Sequence, residues 1–282
     1  MNDQEQVNPR EGILAAGERL VTGQTRVIFM IGSPITQARS PYLFNTYFAD
    51  HGADRIMVPV DVGARALPGF VEMIREASNC DGFVSTIPNK GSLLDLVDDA
   101  SPTAKALASV NVVKRGADGR LSGDMADGAG FWNGVSRAGF EVRGSSVVLA
   151  GAGAAGIAIA HEFAERGGRR LAVWSREHRE IEALIAVLSG KGLAVEPGIP
   201  LSLDGFSMAI NATPVGMAYA PGSVFPRELL ATLRRGNFAA DAITEPVETQ
   251  FLRDAAAIGL HTVDGRAMTF GQFERLREFL GV

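Results

Sequence analysis

The chain has 282 residues, 46% hydrophobic and 21% charged, enough for two domains with substantial cores and too apolar for a disordered or coiled-coil protein. Its 27 basic and 32 acidic side chains give a net charge of -5, which argues against nucleic acid or an anionic membrane as the main partner. The single cysteine, Cys80, excludes an internal disulfide framework and a cysteine zinc site, and fits a reducing compartment.

Residues 1–12 are polar, without the apolar stretch of a secretory signal. Ile13, Leu14, Leu20 and Val21 recur at helical spacing, so a helical extension is expected over 1–25. Strand–helix alternation follows: strands at 26–31, 56–60, 82–86 and 110–114, helices at 40–51 and 69–78, and a helical stretch over 93–107 broken at Pro102. Such alternation predicts a mostly parallel sheet covered by helices. A second block has helices at 128–138, 155–166 and 177–190 and strands at 146–150, 170–174, 208–211, 238–241 and 260–263, and an amphipathic helix over 269–280 closes the chain. The expected fold class is α/β, with two α/β domains. Two uncharged runs, 144–160 and 205–226, hold too many glycines and prolines for spanning helices, so no membrane partner and a cytoplasmic location are expected.

Gly151-Ala152-Gly153-Ala154-Ala155-Gly156 lies between a predicted strand and a predicted helix. The first glycine suits a tight turn, the second a close approach to a pyrophosphate, and the third helix–strand packing. This is the signature of a Rossmann-type NAD(P)-binding domain. Nineteen residues on, Ser175 and Arg176 suit a ribose 2′-phosphate, with Arg179 one helical turn further. NADP is therefore favoured, while Glu177 offers an acid to an unphosphorylated ribose and leaves NAD open. Polar groups at predicted strand ends in the first domain (Ser40, Thr86 to Lys90 and Asn111) and the run Gly123 to Gly128 at the domain junction are the candidates for chemistry. Asp124 either caps the following helix or supports Asp127. His161 and His51 have no metal-ligand spacing, and Trp132 and Trp174 read as packing residues.

These motifs, in this order, resemble the shikimate dehydrogenase family from about residue 26 to the end. The opening Gly32-Ser-Pro-Ile-Thr-Gln-Ala-Arg-Ser-Pro41 is similar to its first strand and turn. Thr86-Ile-Pro-Asn-Lys90 resembles its T-V-P-x-K, Ser109-Val-Asn-Val112 its A-V-N-T, and Gly123 to Gly128 its G-D-N-T-D-G. Ser175-Arg176 resembles N-R-T, Asn211-Ala-Thr213 a later N-A-T, and Val263-Asp-Gly265 with Met268 to Gln272 the D-G-x-x-M-L-V-x-Q region.

The resemblance implies a substrate domain of residues 1–126 completed by helix 266–282, a dinucleotide domain of residues 127–265, and an active site in the cleft between them. It implies Lys90 and Asp127 as the catalytic pair, acting jointly in proton transfer and orientation at a ring carbinol. It implies Ser40, Thr86, Asn111 and Gln272 as holders of a small hydroxy-acid substrate, and Gly151 to Gly156, Ser175, Arg176, Asn211, Thr213 and Gly265 as cofactor contacts. No metal is expected, and the protein would be a monomer or homodimer. The reaction implied is NADP-dependent interconversion of shikimate, or a close analogue, and its 3-dehydro ketone.

The family's H-S-K-S-P reads Gln37-Ala38-Arg39-Ser40-Pro41 here, so one of two carboxylate-gripping serines is Ala38. A tyrosine common after a late strand is Thr244. These departures keep open a quinate, aminoshikimate or otherwise diverged polyhydroxy-acid dehydrogenase. A non-catalytic NADP-binding metabolite sensor is disfavoured by retention of Lys90 and Asp127. Of the 33 glycines, Gly32, Gly123, Gly128, those of the 151–156 loop, Gly216 and Gly265 gather beside the expected cofactor and substrate positions, and part of this surplus is expected to make room for a dinucleotide.

Overall fold

A computed structural model describes residues 21–36 and 38–282. Most of the expected N-terminal helix lies outside the described residues, and 21–25 form a turn leading into the first strand.

The first half runs β1 (Arg26–Gly32), α1 (Ser40–Asp50), β2 (Arg55–Asp61), α2 (Leu67–Glu76), β3 (Cys80–Ser85), β4 (Asp99–Ala100), α3 (Pro102–Ala106), β5 (Val112–Arg115) and β6 (Leu121–Asp124). Prolines sit in the first turns of α1, α2 and α3, where a missing N–H costs nothing. The Ser101 side chain caps α3 by accepting from Ala104 N–H. The strands order as β2-β1-β3-β5-β6-β4. The sheet is mostly parallel, as expected, with one strand reversed. β5 runs antiparallel to both β3 and β6, because the short connection through Gly119 (φ 83°) folds β5 and β6 into a hairpin. The expected helix over 93–107 is corrected: residues 91–98 are turns and bends, and only α3, starting at Pro102, is helical.

The second half runs α4 (Asp127–Arg137), β7 (Ser146–Ala150), α5 (Ala154–Glu165), β8 (Arg170–Trp174), α6 (His178–Leu188), β9 (Ala194–Pro197), β10 (Met208–Asn211), α7 (Arg227–Leu230), β11 (Phe238–Asp241), α8 (Gln250–Ala257), β12 (His261–Val263) and α9 (Gly265–Leu280). Its six strands are all parallel, in the order β9-β8-β7-β10-β11-β12. This is the 3-2-1-4-5-6 order of a Rossmann fold, whose switch point lies beside β7. The central strands β7 and β10 are fully buried and mostly apolar, as a sheet covered on both faces requires. Trp132 is buried, donates from Nε1 to the Ile159 carbonyl at 2.8 Å and stacks on Phe163, which is the packing role expected of it.

Two helices join the halves. Helix α9 begins four residues earlier than its apolar pattern indicates, because the Asp264 carboxylate caps it by accepting from Arg266 and Ala267 N–H. It ends at Gly281 in the left-handed region (φ 79°). It packs on α1 through Phe273 and Phe44, whose rings meet edge-on at 5.0 Å. Its other neighbour is α4, which it meets backbone to backbone. A Cβ on Gly271 would lie 2.1 Å from the Gly130 carbonyl oxygen, and one on Gly134 would lie 2.4 Å from that of Ala267. On the far side of α4, a Cβ on Gly128 would lie 2.2 Å from the Ala158 carbonyl oxygen of α5. Gly128 and Gly265 therefore make room for neighbouring backbone rather than for a ligand, a correction to the expected role of these glycines.

Candidate active site

Lys90 sits on the turn after β3. That turn is fixed by Thr86 N–H to Ile31 O (2.8 Å), Ser33 N–H to Ile87 O (2.9 Å) and Val110 N–H to Lys90 O (2.9 Å). The buried Asn89 side chain adds a bond from Nδ2 to Val62 O at 2.8 Å. Asp127 opens α4, where a carboxylate suits the positive end of the helix dipole. Its side chain is 3% exposed and it receives three donors. Lys90 Nζ reaches Oδ2 at 2.7 Å, while Asn111 Nδ2 at 2.6 Å and Gln272 Nε2 at 2.7 Å both reach Oδ1. Asn111 is itself held by accepting from Ala126 N–H at 2.8 Å. Three residues expected at the site thus converge on the carboxylate of the fourth, from the turn after β3, the entry to β5 and helix α9. Ser40, in the first turn of α1, and Thr86, which follows β3 with its methyl over Gly32, make no hydrogen bond to Asp127.

Asp124 neither caps α4 nor touches Asp127. Buried at the end of β6, it accepts from Ser101 Oγ at 2.5 Å and from Arg275 Nη2 at 2.6 Å. Arg275 lies three residues beyond Gln272, so this ion pair ties the helix carrying Gln272 to the first sheet. The two partners are 151 residues apart, and no local pattern links them.

The glycine loop has the expected form. Gly151 takes φ 100°, open to few residues but glycine. Gly153 has open space where a side chain would stand, and a Cβ on Gly156 would lie 2.0 Å from Gly151 O. Two cavities meet along this loop, sharing Gly153, Ala154 and Glu180. One, of about 570 Å³, is bordered by Gly151, Ala155, Ser175, Arg176, Thr213 and Tyr219. The other, of about 590 Å³, opens between the two halves, with Lys90 and Ser109 on one wall and Ala152 and Ile157 on the other. Open backbone at Gly153, the α5 N-terminus and a cavity running to the end of β8 fit a dinucleotide.

Asn211 and Gly265 border neither cavity. Asn211 is fully buried; its Oδ1 accepts from Thr213 N–H (3.0 Å) and Thr213 Oγ1 (2.7 Å), and its Nδ2 donates to Val215 O and Asp241. It shapes the loop that bears Thr213. Behind it, Asp241 accepts from Asn211, Ile243 N–H and Thr249 Oγ1, and burial pushes its carboxyl up to about 6. Gly265 lies against the Ile243 carbonyl at the start of α9. Among the described residues no group of three His, Cys, Asp or Glu side chains is placed to hold a metal, and no helix is long and apolar enough to cross a membrane.

A parallel Rossmann sheet with its glycine loop, facing a mixed sheet across a cleft that holds a lysine–carboxylate pair, defines a two-domain α/β oxidoreductase. Residues 30–113 match the family model for the shikimate dehydrogenase substrate binding domain. A shikimate dehydrogenase (NADP(+)) from Methylobacterium radiotolerans is 34% identical over 249 residues, covering 86% of this chain and 87% of that protein. Among solved structures, shikimate 5-dehydrogenase from Listeria monocytogenes, in complex with shikimate and NAD, superposes with a TM-score of 0.86 at 26% identity, over 94% of each chain. Quinate dehydrogenase from Corynebacterium glutamicum, in complex with NAD, superposes with a TM-score of 0.81 at 27% identity, over 92% of this chain and 94% of that one. The chain belongs to the shikimate dehydrogenase family.

Proposed function

We propose that this protein is an NADP-dependent dehydrogenase that interconverts shikimate, or a close polyhydroxy-acid analogue, and the corresponding ring ketone. In this reading residues 1–126 with helix 266–282 bind the substrate, residues 127–265 bind the cofactor, and the cleft between them is the active site. The observation that carries it is the Lys90–Asp127 pair, held at 2.7 Å and braced by Asn111 and Gln272, on the cleft wall opposite the glycine loop.

Oxidising an alcohol removes a hydride from carbon and a proton from oxygen. A nicotinamide held by the glycine loop would supply the hydride acceptor. Lys90 and Asp127 hold the carbinol hydroxyl and carry its proton between them, so the pair acts as a unit. Asn111 and Gln272 donate to Oδ1, which leaves Oδ2 for Lys90 and fixes the carboxylate plane. Ser40 and Thr86 offer short directional hydroxyls to the substrate's own polar groups. The backbone of Gly151 to Ala155 and the α5 N-terminus receive the pyrophosphate, while Arg176 and Thr213 border the rest of the dinucleotide. A cytoplasmic monomer or homodimer fits this role.

Ala38 favours a second reading within the same chemistry. It packs against the Ile28–Phe44 core where the family pattern has a hydroxyl for the substrate carboxylate, so quinate or another relative of shikimate competes as substrate. A panel of shikimate, quinate and related hydroxy acids with NADP, followed by absorbance of the reduced nicotinamide, separates the two. Turnover of shikimate at least about tenfold above the others supports the first reading, and the reverse order supports the second. No turnover of any ring hydroxy acid overturns both.

A further inference from the structure

The cavity at the end of β8 carries an unexpected charge. Its charged border residues are Arg176, Glu177 and Glu180, one cation against two anions, a formal sum of -1. Arg179 borders the inter-domain cavity instead. The Ser175 hydroxyl is already committed, donating to Glu180 Oε2 at 2.5 Å. Glu180, on the first turn of α6, thus reaches back to the strand end where a Rossmann domain meets the adenosine ribose.

A ribose 2′-phosphate brings up to two negative charges and no donor at neutral pH. A plain 2′-hydroxyl brings a donor and no charge. The carboxylate of Glu180 has lone pairs beyond the one taken by Ser175, so it suits the hydroxyl and opposes the phosphate. Arg176 still offers a bidentate fork to a phosphate. We propose that Glu180 is a cofactor-discriminating residue, which offsets Arg176 and opens the site to NAD as well as NADP. The inference rests on the dehydrogenase reading above and deepens it.

Direct titration of the full chain with NADP⁺ and NAD⁺, and with the adenosine ends 2′,5′-ADP and 5′-AMP, tests it by calorimetry without any turnover. The wild type is expected to bind the two dinucleotides within about tenfold of each other. Glu180→Gln keeps an oxygen for Ser175 and removes the charge. It should tighten NADP⁺ and 2′,5′-ADP by about fivefold or more at low salt, and should not tighten NAD⁺ or 5′-AMP. A role limited to capping α6 or holding Ser175 would not separate the two ligands. Glu180→Ala, which also loses the hydrogen bond, should shift the ratio the same way. A wild-type preference for NADP⁺ above about a hundredfold, or a ratio unmoved in Glu180→Gln, overturns the role of Glu180 alone. Failure of all four ligands to bind overturns the dehydrogenase reading as well.

Discussion

A single methyl group at Gly271 is expected to cost both stability and activity. Its Cβ would stand 2.1 Å from the Gly130 carbonyl oxygen and 2.8 Å from the Gly134 nitrogen, where ordinary contact begins at 3.4 Å. The obstructing atoms are backbone and cannot rotate aside, so α4 and α9 must part by up to the difference, 1.3 Å. Overpacking of this kind costs about 1–3 kcal/mol. The better helix propensity of alanine returns about 1 kcal/mol. With rigid atoms on both sides the upper figure applies, leaving a net loss of about 2 kcal/mol. The same shift stretches the 2.7 Å bond from Gln272 to Asp127 past the ~3.2 Å limit of a hydrogen bond, so turnover should fall too. Gly69 is the internal control. It lies on the exposed face of helix α2 with nothing within 4 Å of its Cβ position, so Gly69→Ala should stabilise by up to about 1 kcal/mol. Urea denaturation of the two variants beside the wild type reads both signs. A Gly271→Ala protein as stable as the wild type would refute the backbone-contact account of this helix pair.

Asp241 makes stability depend on pH. Its carboxyl ionises near 3.8 when free and at about 6 in the fold, so between these values the folded chain holds more protons than the unfolded one. Stability therefore falls as pH rises through that window, and the ionised group costs roughly 3 kcal/mol at pH 7. Asp241→Asn keeps an oxygen for Asn211 and Ile243 and removes the titration. Urea midpoints at pH 5 and pH 7 should converge in the variant relative to the wild type, and an unchanged difference would contradict the assignment. Arg275→Met leaves Asp124 with only Ser101 as side-chain partner. It should cost about 2 kcal/mol and lower turnover by loosening Gln272, with Arg275→Lys restoring part of each. A stable, fully active Arg275→Met protein would show that the ion pair does not hold α9.

The Rossmann half was legible because its cues are local. Strands 146–150, 170–174, 208–211 and 238–241 are short apolar runs, and the glycine loop has a strand on one side and a helix on the other. The β5–β6 hairpin was hidden because Leu121–Asp124 is only four residues long and its polar end reads as a site motif instead of a strand. The helix expected at 93–107 failed because apolar spacing at Leu93, Leu94, Leu96 and Val97 serves turns packed on the first core equally well. Within the site, Lys90, Asn111, Asp127 and Gln272 were each visible as polar residues in motifs, yet their meeting on one carboxylate depends on how α9 docks. That docking rests on Gly130, Gly134, Gly271 and the Asp124–Arg275 pair, whose partners lie far apart in the chain. Glu180 is not legible from the Ser175–Arg176 segment, because the acid that answers the Arg176 cation comes from the following helix α6.

The most direct measurement is the steady-state turnover of Lys90→Met and Asp127→Asn with shikimate and NADP, set beside calorimetric binding of NADP to the same variants. The dyad account predicts a fall in kcat of about 10²- to 10⁴-fold in each, with NADP affinity kept and the double variant little worse than either single one. Near-normal turnover in either single variant would contradict it.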